Sequence, residues 1–173
     1  SGALLYSFPL TLPPGRNGMQ PDLALTYNNQ SAEEGSILGA GWSINVPFIE
    51  RINRKGSEKL YTENFYHSSL SGELASLSLT SYKSKVDNGE FLDYAFTGNT
   101  WIVKDKKGST YTFGASASAR QDSPANTSQV FKWMLEEARD LNDNYIKYEY
   151  VKDSGQIYPF KITYTGSGAI DGI

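Results

Sequence analysis

Apolar positions recur at every second residue over most of the chain, which is the period of a half-buried strand and not of a helix. Leu4, Tyr6, Phe8 and Leu10 share one face of a first predicted strand. Pro9 marks its end or an edge position, because proline cannot donate to a ladder. Pro13, Pro14 and Gly15 stop that strand, and Asn17-Gly18 predicts a turn, since both residues tolerate positive φ. Gln20 and Pro21 follow, and Leu23, Leu25 and Tyr27 line one face of a second strand that ends at Asn28. Residues 29–36 are polar and predict a loop. Gly39 and Gly41 bracket a point where the backbone must bend or pass close to another strand. Trp42 is expected to enter the core there, at the start of a strand that carries Ile44 and Val46, is bent or split at Pro47, and resumes through Ile49 and Ile52 to Arg54.

Short apolar runs at 59–61, 74–79, 91–96, 100–104 and 110–113 alternate with turn signals at Gly72, Asn88-Gly89, Gly98-Asn99 and Lys107-Gly108. A spacing of roughly ten residues with a turn between each run predicts antiparallel meanders. Trp101 to Gly114 is the clearest hairpin. Residues 115–129 are small and polar and predict an exposed, flexible loop. Residues 130–140 pull two ways: Met134 to Arg139 are good helix formers, whereas Phe131, Trp133 and Leu135 alternate. The strand-like stretch from Tyr145 through Tyr148 and Tyr150 favours a long hairpin closed by Leu141-Asn142-Asp143-Asn144, with residues 160–164 as a third strand. The predicted class is all-β, with antiparallel meanders and hairpins forming a β-sandwich or curled sheet in a single domain over residues 1–173.

Composition mostly removes functions. A net charge of -3, with 16 Lys plus Arg against 19 Asp plus Glu spread along the chain, implies no nucleic-acid or anionic-membrane partner. Cysteine is absent, so there is no disulfide framework, thiolate nucleophile or cysteine metal site. No apolar run approaches the roughly 18 residues of a membrane helix, and no signal peptide is visible. Aromatic residues make up 13%, including 12 Tyr, and Tyr suits surfaces that touch other molecules because its ring is apolar and its hydroxyl stays wet. The direct start on strand-like sequence and the Gly-rich finish lead us to expect an excised piece of a longer protein.

Candidate chemistry is thin. His67 is the single histidine, in a segment expected to be a loop or edge, so a nucleophile-histidine triad or a three-histidine metal site would need unusual substitutes. Gly41-Trp42-Ser43 lacks the glycine spacing of a nucleophile elbow, and Gly39-Ala40-Gly41 lacks the third glycine and helix of a dinucleotide loop. Asp140, Asn142, Asp143 and Asn144 could offer oxygen ligands to Ca²⁺, but the cluster has neither the Gly nor the distal Glu of a calcium loop, and a hairpin turn is the plainer reading. Glu33-Glu34 and Glu136-Glu137 are neighbours, and neighbours on a strand point to opposite faces. Asn29-Gln30-Ser31 and Asn126-Thr127-Ser128 match the N-glycosylation pattern. No catalytic residue, cofactor or metal is assigned.

The order Leu12-Pro13-Pro14-Gly15-Arg16-Asn17-Gly18-Met19-Gln20-Pro21, then Leu23-Ala24-Leu25-Thr26-Tyr27-Asn28, then Gly35 to Trp42-Ser43-Ile44 and Ile49-Glu50-Arg51, preceded by Gly2-Ala3, resembles the start of the SpvB-like family. That family includes the N-terminal part of the B component of bacterial insecticidal toxin complexes and is related to Rhs and YD-repeat shell proteins. The resemblance continues in Trp101 to Gly114 and in Trp133, Asp140, Asn142, Tyr148 and Tyr150. Asp143 stands where Rhs-like hairpins commonly carry Gly, which puts the turn type in question. The resemblance implies a non-catalytic structural module of a secreted bacterial toxin or Rhs-like protein, part of a larger β-shell that encloses or presents a downstream toxic domain. The implied partners are downstream domains of the same polypeptide or other toxin-complex components. A cell-surface binding module, adhesin-like or carbohydrate-binding, is the alternative; it requires an exposed aromatic row beside Asn, Asp or Gln, whereas a broad apolar patch or open sheet edge favours the shell module.

Overall fold

The computed structural model describes residues 4–30, 38–86, 89–153, 155–170 and 172–173. Gly2-Ala3, residues 31–37, which take in most of the predicted 29–36 loop with Glu33-Glu34 and Gly35, and Asn88 of one predicted turn lie outside the described residues. Strand β1 (Leu5–Pro9), β2 (Ala24–Asn28) and β3 (Trp42–Ile44) form a small antiparallel sheet in that order. A meander follows through β4 (Phe48–Arg51), β5 (Tyr66–Ser68), β6 (Gly72–Ser76), β7 (Ser81–Ser84), β8 (Asp93–Thr97), β9 (Thr100–Lys104) and β10 (Thr110–Phe113). The chain then adds β11 (Arg120–Ser123), the long β12 (Asn126–Arg139), β13 (Asn144–Asp153) and β14 (Gln156–Ser167).

The predicted curled sheet curls until it closes. β12 pairs with β10 from Thr110↔Arg139 to Phe113↔Leu135 and with β4 from Lys132↔Glu50 to Met134↔Phe48. This makes a ring of eight antiparallel strands with β12 as the closing stave. The chain itself shows that the two partners lie on opposite sides of β12: the Met134 carbonyl accepts from Gly114, while the next N–H, of Leu135, donates to Pro47. β11 and β13 pair with the ends of β12 that the barrel leaves open, and β14 continues from β13 as the sheet's edge.

Eight strands leave an interior just wide enough for side chains to fill, and aromatic rings fill this one. Trp101 and Trp133, both 0% exposed, lie with ring centroids 6.2 Å apart, and Tyr66 packs on both at 4.9 and 5.9 Å. Tyr82, Tyr94, Val103 and Phe113 complete the filling. Most buried polar tips have partners, as a dry interior requires. The Trp133 indole donates to the Asn99 carbonyl at 3.0 Å, the Tyr94 hydroxyl donates to Ser68 Oγ at 3.0 Å, and the Tyr150 hydroxyl donates to the Leu135 carbonyl.

Four expectations need correction. Residues 59–61 are a turn after a short 3-10 segment, Ser57–Lys59; Gly56 there takes φ 100° and its N–H donates to the Asn53 side chain. Residues 115–129 are not an open loop: they contain a 3-10 turn at Ala117–Ala119, β11 and the start of β12, with Ala119 fully buried. The sequence there is small and polar, but a partner strand, β12, supplies the ladder. His67 lies within β5, not in a loop, between the buried Tyr66 and Ser68. Trp42 is half-buried and outside the barrel core, because β3 belongs to the small sheet. The long hairpin at 126–153 forms as expected, with β14 as its third strand. The helix-forming residues at 134–139 pair with β4, β10 and β13 instead, since a helix propensity worth at most about 0.7 kcal/mol per residue is a weak preference that tertiary packing overrides.

Candidate functional site

The sequence-singled residues gather at three places, and the first is a junction of two turns. Arg16–Gly18 forms a 3-10 turn in which Asn17 takes φ 51°. The Gln20 side chain closes it by accepting the Gly15 N–H at 3.1 Å. Gly15 is required because a Cβ would lie 1.9 Å from the Met19 carbonyl oxygen. Pro13 and Pro14 lead in at the surface and Pro21 leaves it buried. Across from it stands the β12–β13 turn. Asp140 Oδ1 accepts the N–H groups of Asn142 and Asn144 at 2.8 and 2.9 Å, and Oδ2 accepts the side-chain amides of Asn144 at 2.8 Å and Asn17 at 3.3 Å. Those donors, the Asn144 amide foremost, hold the Asp140 carboxyl below its ordinary pKa. Its oxygens are spent on N–H groups, so the carboxylate works as a turn clasp and not as an open cation ligand. Asp143 takes φ 60°, which explains why an Asp can stand where a Gly is common.

The second place is the barrel mouth. Arg51 points inward from β4 with its guanidinium 5.1 Å above the Tyr66 ring and 5.7 Å from Trp133. It donates to the carbonyls of Val130 and Glu63, each at 3.0 Å, and so ties the 57–63 segment across the opening. Trp101 and Trp133 lie below it. Tyr148 and Tyr150 are buried on β13. Burial pushes both phenols up, Tyr148 to about 12.

The third is the small sheet. Cross-strand register sets Tyr6, Tyr27 and Trp42 in one row and Phe8, Leu25 and Ile44 in the next, on the same face. The Tyr27 and Trp42 rings are 5.2 Å apart. Gly41 lets β3 approach, since a Cβ there would lie 2.8 Å from the Tyr27 ring and 2.9 Å from the Asn28 carbonyl oxygen; the Asn28 N–H donates to the Gly41 carbonyl at 2.9 Å. Gly39 takes φ 97° with open space around it. Toward β1 the face is uncovered: Leu4 is 62%, Tyr6 56% and Phe8 52% exposed. The aromatic row is flanked on one side by Phe8, Leu25 and Ile44 and on the other by Leu4 and Asn29, whose Oδ1 accepts the Leu4 N–H at 2.8 Å. The β1 side chains were legible as one apolar face, but nothing in the sequence signals that the face lacks a cover.

Two further features are framework. His67 stands on the outer barrel surface among cross-strand charged side chains: Lys132 Nζ is 3.8 Å from Glu50, Glu50 is 3.8 Å from His67 Nδ1, and Glu73, opposite His67 on β6, pairs with Arg54 and Lys85. A cleft of about 430 Å³ is walled by Leu70, Leu92 and Tyr111. Its Asp105 accepts the N–H groups of Lys107 and Ser109 at 2.8 and 2.9 Å, which closes the β9–β10 hairpin. The Glu136 carboxylate accepts the Ser116 N–H, and Glu137 pairs with Arg139, so the two adjacent acids serve different neighbours. No helix of the described residues is long and apolar enough to cross a membrane.

Comparison with known proteins agrees with this architecture. The family model described as SpvB, Salmonella virulence plasmid 65kDa B protein, matches residues 1–88 and 61–163. The mono(ADP-ribosyl)transferase SpvB of Salmonella typhimurium is 24% identical over 182 residues, covering 87% of this chain and 30% of the relative. The solved N-terminal domain of the effector protein SpvB from Salmonella typhimurium strain LT2 superposes with a TM-score of 0.73 at 21% identity, over 92% of this chain and 63% of that one. A chain of the Photorhabdus luminescens Tc holotoxin pore superposes with a TM-score of 0.76 at 23% identity, over 94% of this chain and 9% of that one. The chain thus spans under a third of the curated relatives it matches, and the structural likeness at these identities is a likeness of fold.

Proposed function

The chain belongs to the SpvB family, and on that premise we propose that it is a non-catalytic structural module of a secreted bacterial toxin, helping to build the β-shell that encloses or presents a downstream toxic domain. The observation that carries this reading is the pairing of a closed, aromatic-filled barrel with a small sheet whose apolar face and edge are open. A barrel packed with Trp and Tyr has no room for a substrate, while an exposed apolar face is what an assembly partner covers. The residues singled out by sequence serve turns, ring packing and close backbone approach. The Phe8, Leu25 and Ile44 flank of the Tyr6-Tyr27-Trp42 row, with Asn29 on the other flank turning its Oδ1 to the Leu4 N–H, favours this over sugar binding, which needs several polar groups aimed at a ligand beside the rings. Its partners are downstream domains of the same polypeptide or other toxin-complex components.

The test uses the longer polypeptide. Trp133→Ala is expected to abolish a protease-resistant shell and delivered toxicity, while the separately produced downstream domain keeps its full turnover. A catalytic role for this module would show instead as loss of turnover on His67→Ala with shell and melting temperature unchanged.

A further inference from the structure

We infer that the outer edge of β1 receives one further strand, an extended segment of about five residues with alternating apolar side chains, contributed by the remainder of the same polypeptide. This rests on the shell-module reading and names the surface through which the module joins its shell. Backbone parity comes directly from the bonds. The Leu10 N–H donates to the Leu23 carbonyl at 2.8 Å, and Leu4 exchanges bonds with Asn29, its own N–H going to the side chain and its carbonyl accepting the Asn29 N–H. Residues two apart on a strand point their backbone groups the same way, so Leu4, Tyr6, Phe8 and Leu10 serve β2. Leu5 and Ser7 turn their N–H and C=O groups outward, and Pro9 turns out a carbonyl alone.

Natural sheets shield such an edge with charges, bulges or a covering segment. This one has none of these among the described residues. The five pairs of β1 with β2 run without a register shift, no residue from 4 to 15 is charged, and β1 ends the strand order of its sheet. Only Pro9 limits it, at one end. Leu5, at 70% exposed, and the Tyr6-Phe8 face leave apolar surface on both sides of the open edge. The opposite margin of the molecule differs, because Tyr164 on β14 exchanges both backbone bonds with Ile173 at 2.9 and 2.8 Å. The chain therefore closes part of one edge itself and leaves the other open.

The occupant follows from chain length and from β1 itself. This fold covers only 63% of the solved SpvB N-terminal domain, so the relative has chain beyond the shared part within that same domain. A second copy fits less well. In an antiparallel self-pair centred on Ser7, each Leu5 faces a Pro9, and the Leu5 carbonyl gains no donor. A different segment with a donor at that position satisfies every outward group.

Hydrogen exchange of the longer polypeptide and of the 173-residue chain tests this. In the longer protein the Leu5 and Ser7 amides are expected to exchange about tenfold or more slowly than in the short chain, the factor one or two net hydrogen bonds produce. Ser7→Pro, which removes an outward donor without touching the β2 ladder, is expected to abolish that protection at Leu5 while Trp133 and Tyr6 stay protected. Equal exchange of Leu5 and Ser7 in both proteins, with the barrel amides protected, would overturn strand addition and leave the module reading standing. Protection in the short chain that rises with its concentration, together with a dimer in sedimentation, would overturn it in favour of a second copy. An intact shell after replacing the whole module with a linker would instead sink the module reading.

Discussion

Trp133 and Trp42 both sit on short-period strands beside a tyrosine, yet Trp133 is fully buried and Trp42 is half-buried. The difference lies in the sheets that hold them. In the barrel every strand has two neighbours and the curved surface folds back on itself, so each inward ring is surrounded by others: Trp133 has Tyr66, Phe96 and Trp101 within 5.5 to 6.2 Å. In the β1–β3 sheet three strands cannot close, and the same kind of apolar row has one covered end at Ile44 and one bare end at Tyr6 and Phe8. Closure turns an aromatic row from an open face into a core.

The largest effect should come from truncating the closed region. Trp133→Ala is expected to cost about 3–5 kcal/mol in urea unfolding, and Trp42→Ala about 1–2 kcal/mol, since half-burial forfeits only part of the transfer and cavity energy. Equal losses would mean that the small sheet is as much core as the barrel.

Alkali separates the regions next. Tyr148 and Tyr150 have folded pKa values raised by burial, so the stability they contribute is present below the unfolded value of 10.0 and lost as pH rises through the folded values, about 12 for Tyr148. Part of the phenolate absorbance, that of Tyr148 and Tyr150, should therefore appear only with unfolding. A single smooth titration would contradict the packing.

Acid probes the clasp between the regions. Asp140 is depressed by its N–H donors, so its contribution is present above 3.8 and lost as pH falls through the lower folded value. Asp140→Ala should flatten the acid limb of the stability curve slightly and speed exchange at Asn142 and Asn144. Its side chain is solvent-facing, and the effect is small. Smallest is His67→Ala on the outer barrel wall, expected to shift stability by less than about 0.5 kcal/mol; a loss of several kcal/mol would mean that this group of side chains holds the barrel together.

Much of this was legible in the residues. The alternation at 4–10, 23–28, 100–104 and 110–113 and the Asp140–Asn144 turn predicted strands and hairpins that the fold contains. Strands such as Tyr66–Ser68 and Ser81–Ser84 escaped notice because each is three or four residues with a single buried tyrosine. The 115–129 segment escaped because its ladder is offered by β12, not by its own composition. The Asn17–Asp140 bond joins residues 123 apart, and no local pattern announces such a pair.

Local period and turn chemistry, then, determined many of the strands and the all-β class, because side-chain alternation and positive-φ turns act within a few residues. Tertiary structure decided that β12 would close the sheet between β4 and β10, that Arg51 would cap the interior, and that Trp42 would stay outside it. Closure depends on twist and stagger accumulated over eight strands. Whether an apolar face becomes core or remains open depends on what lies across from it, which no stretch of sequence contains by itself.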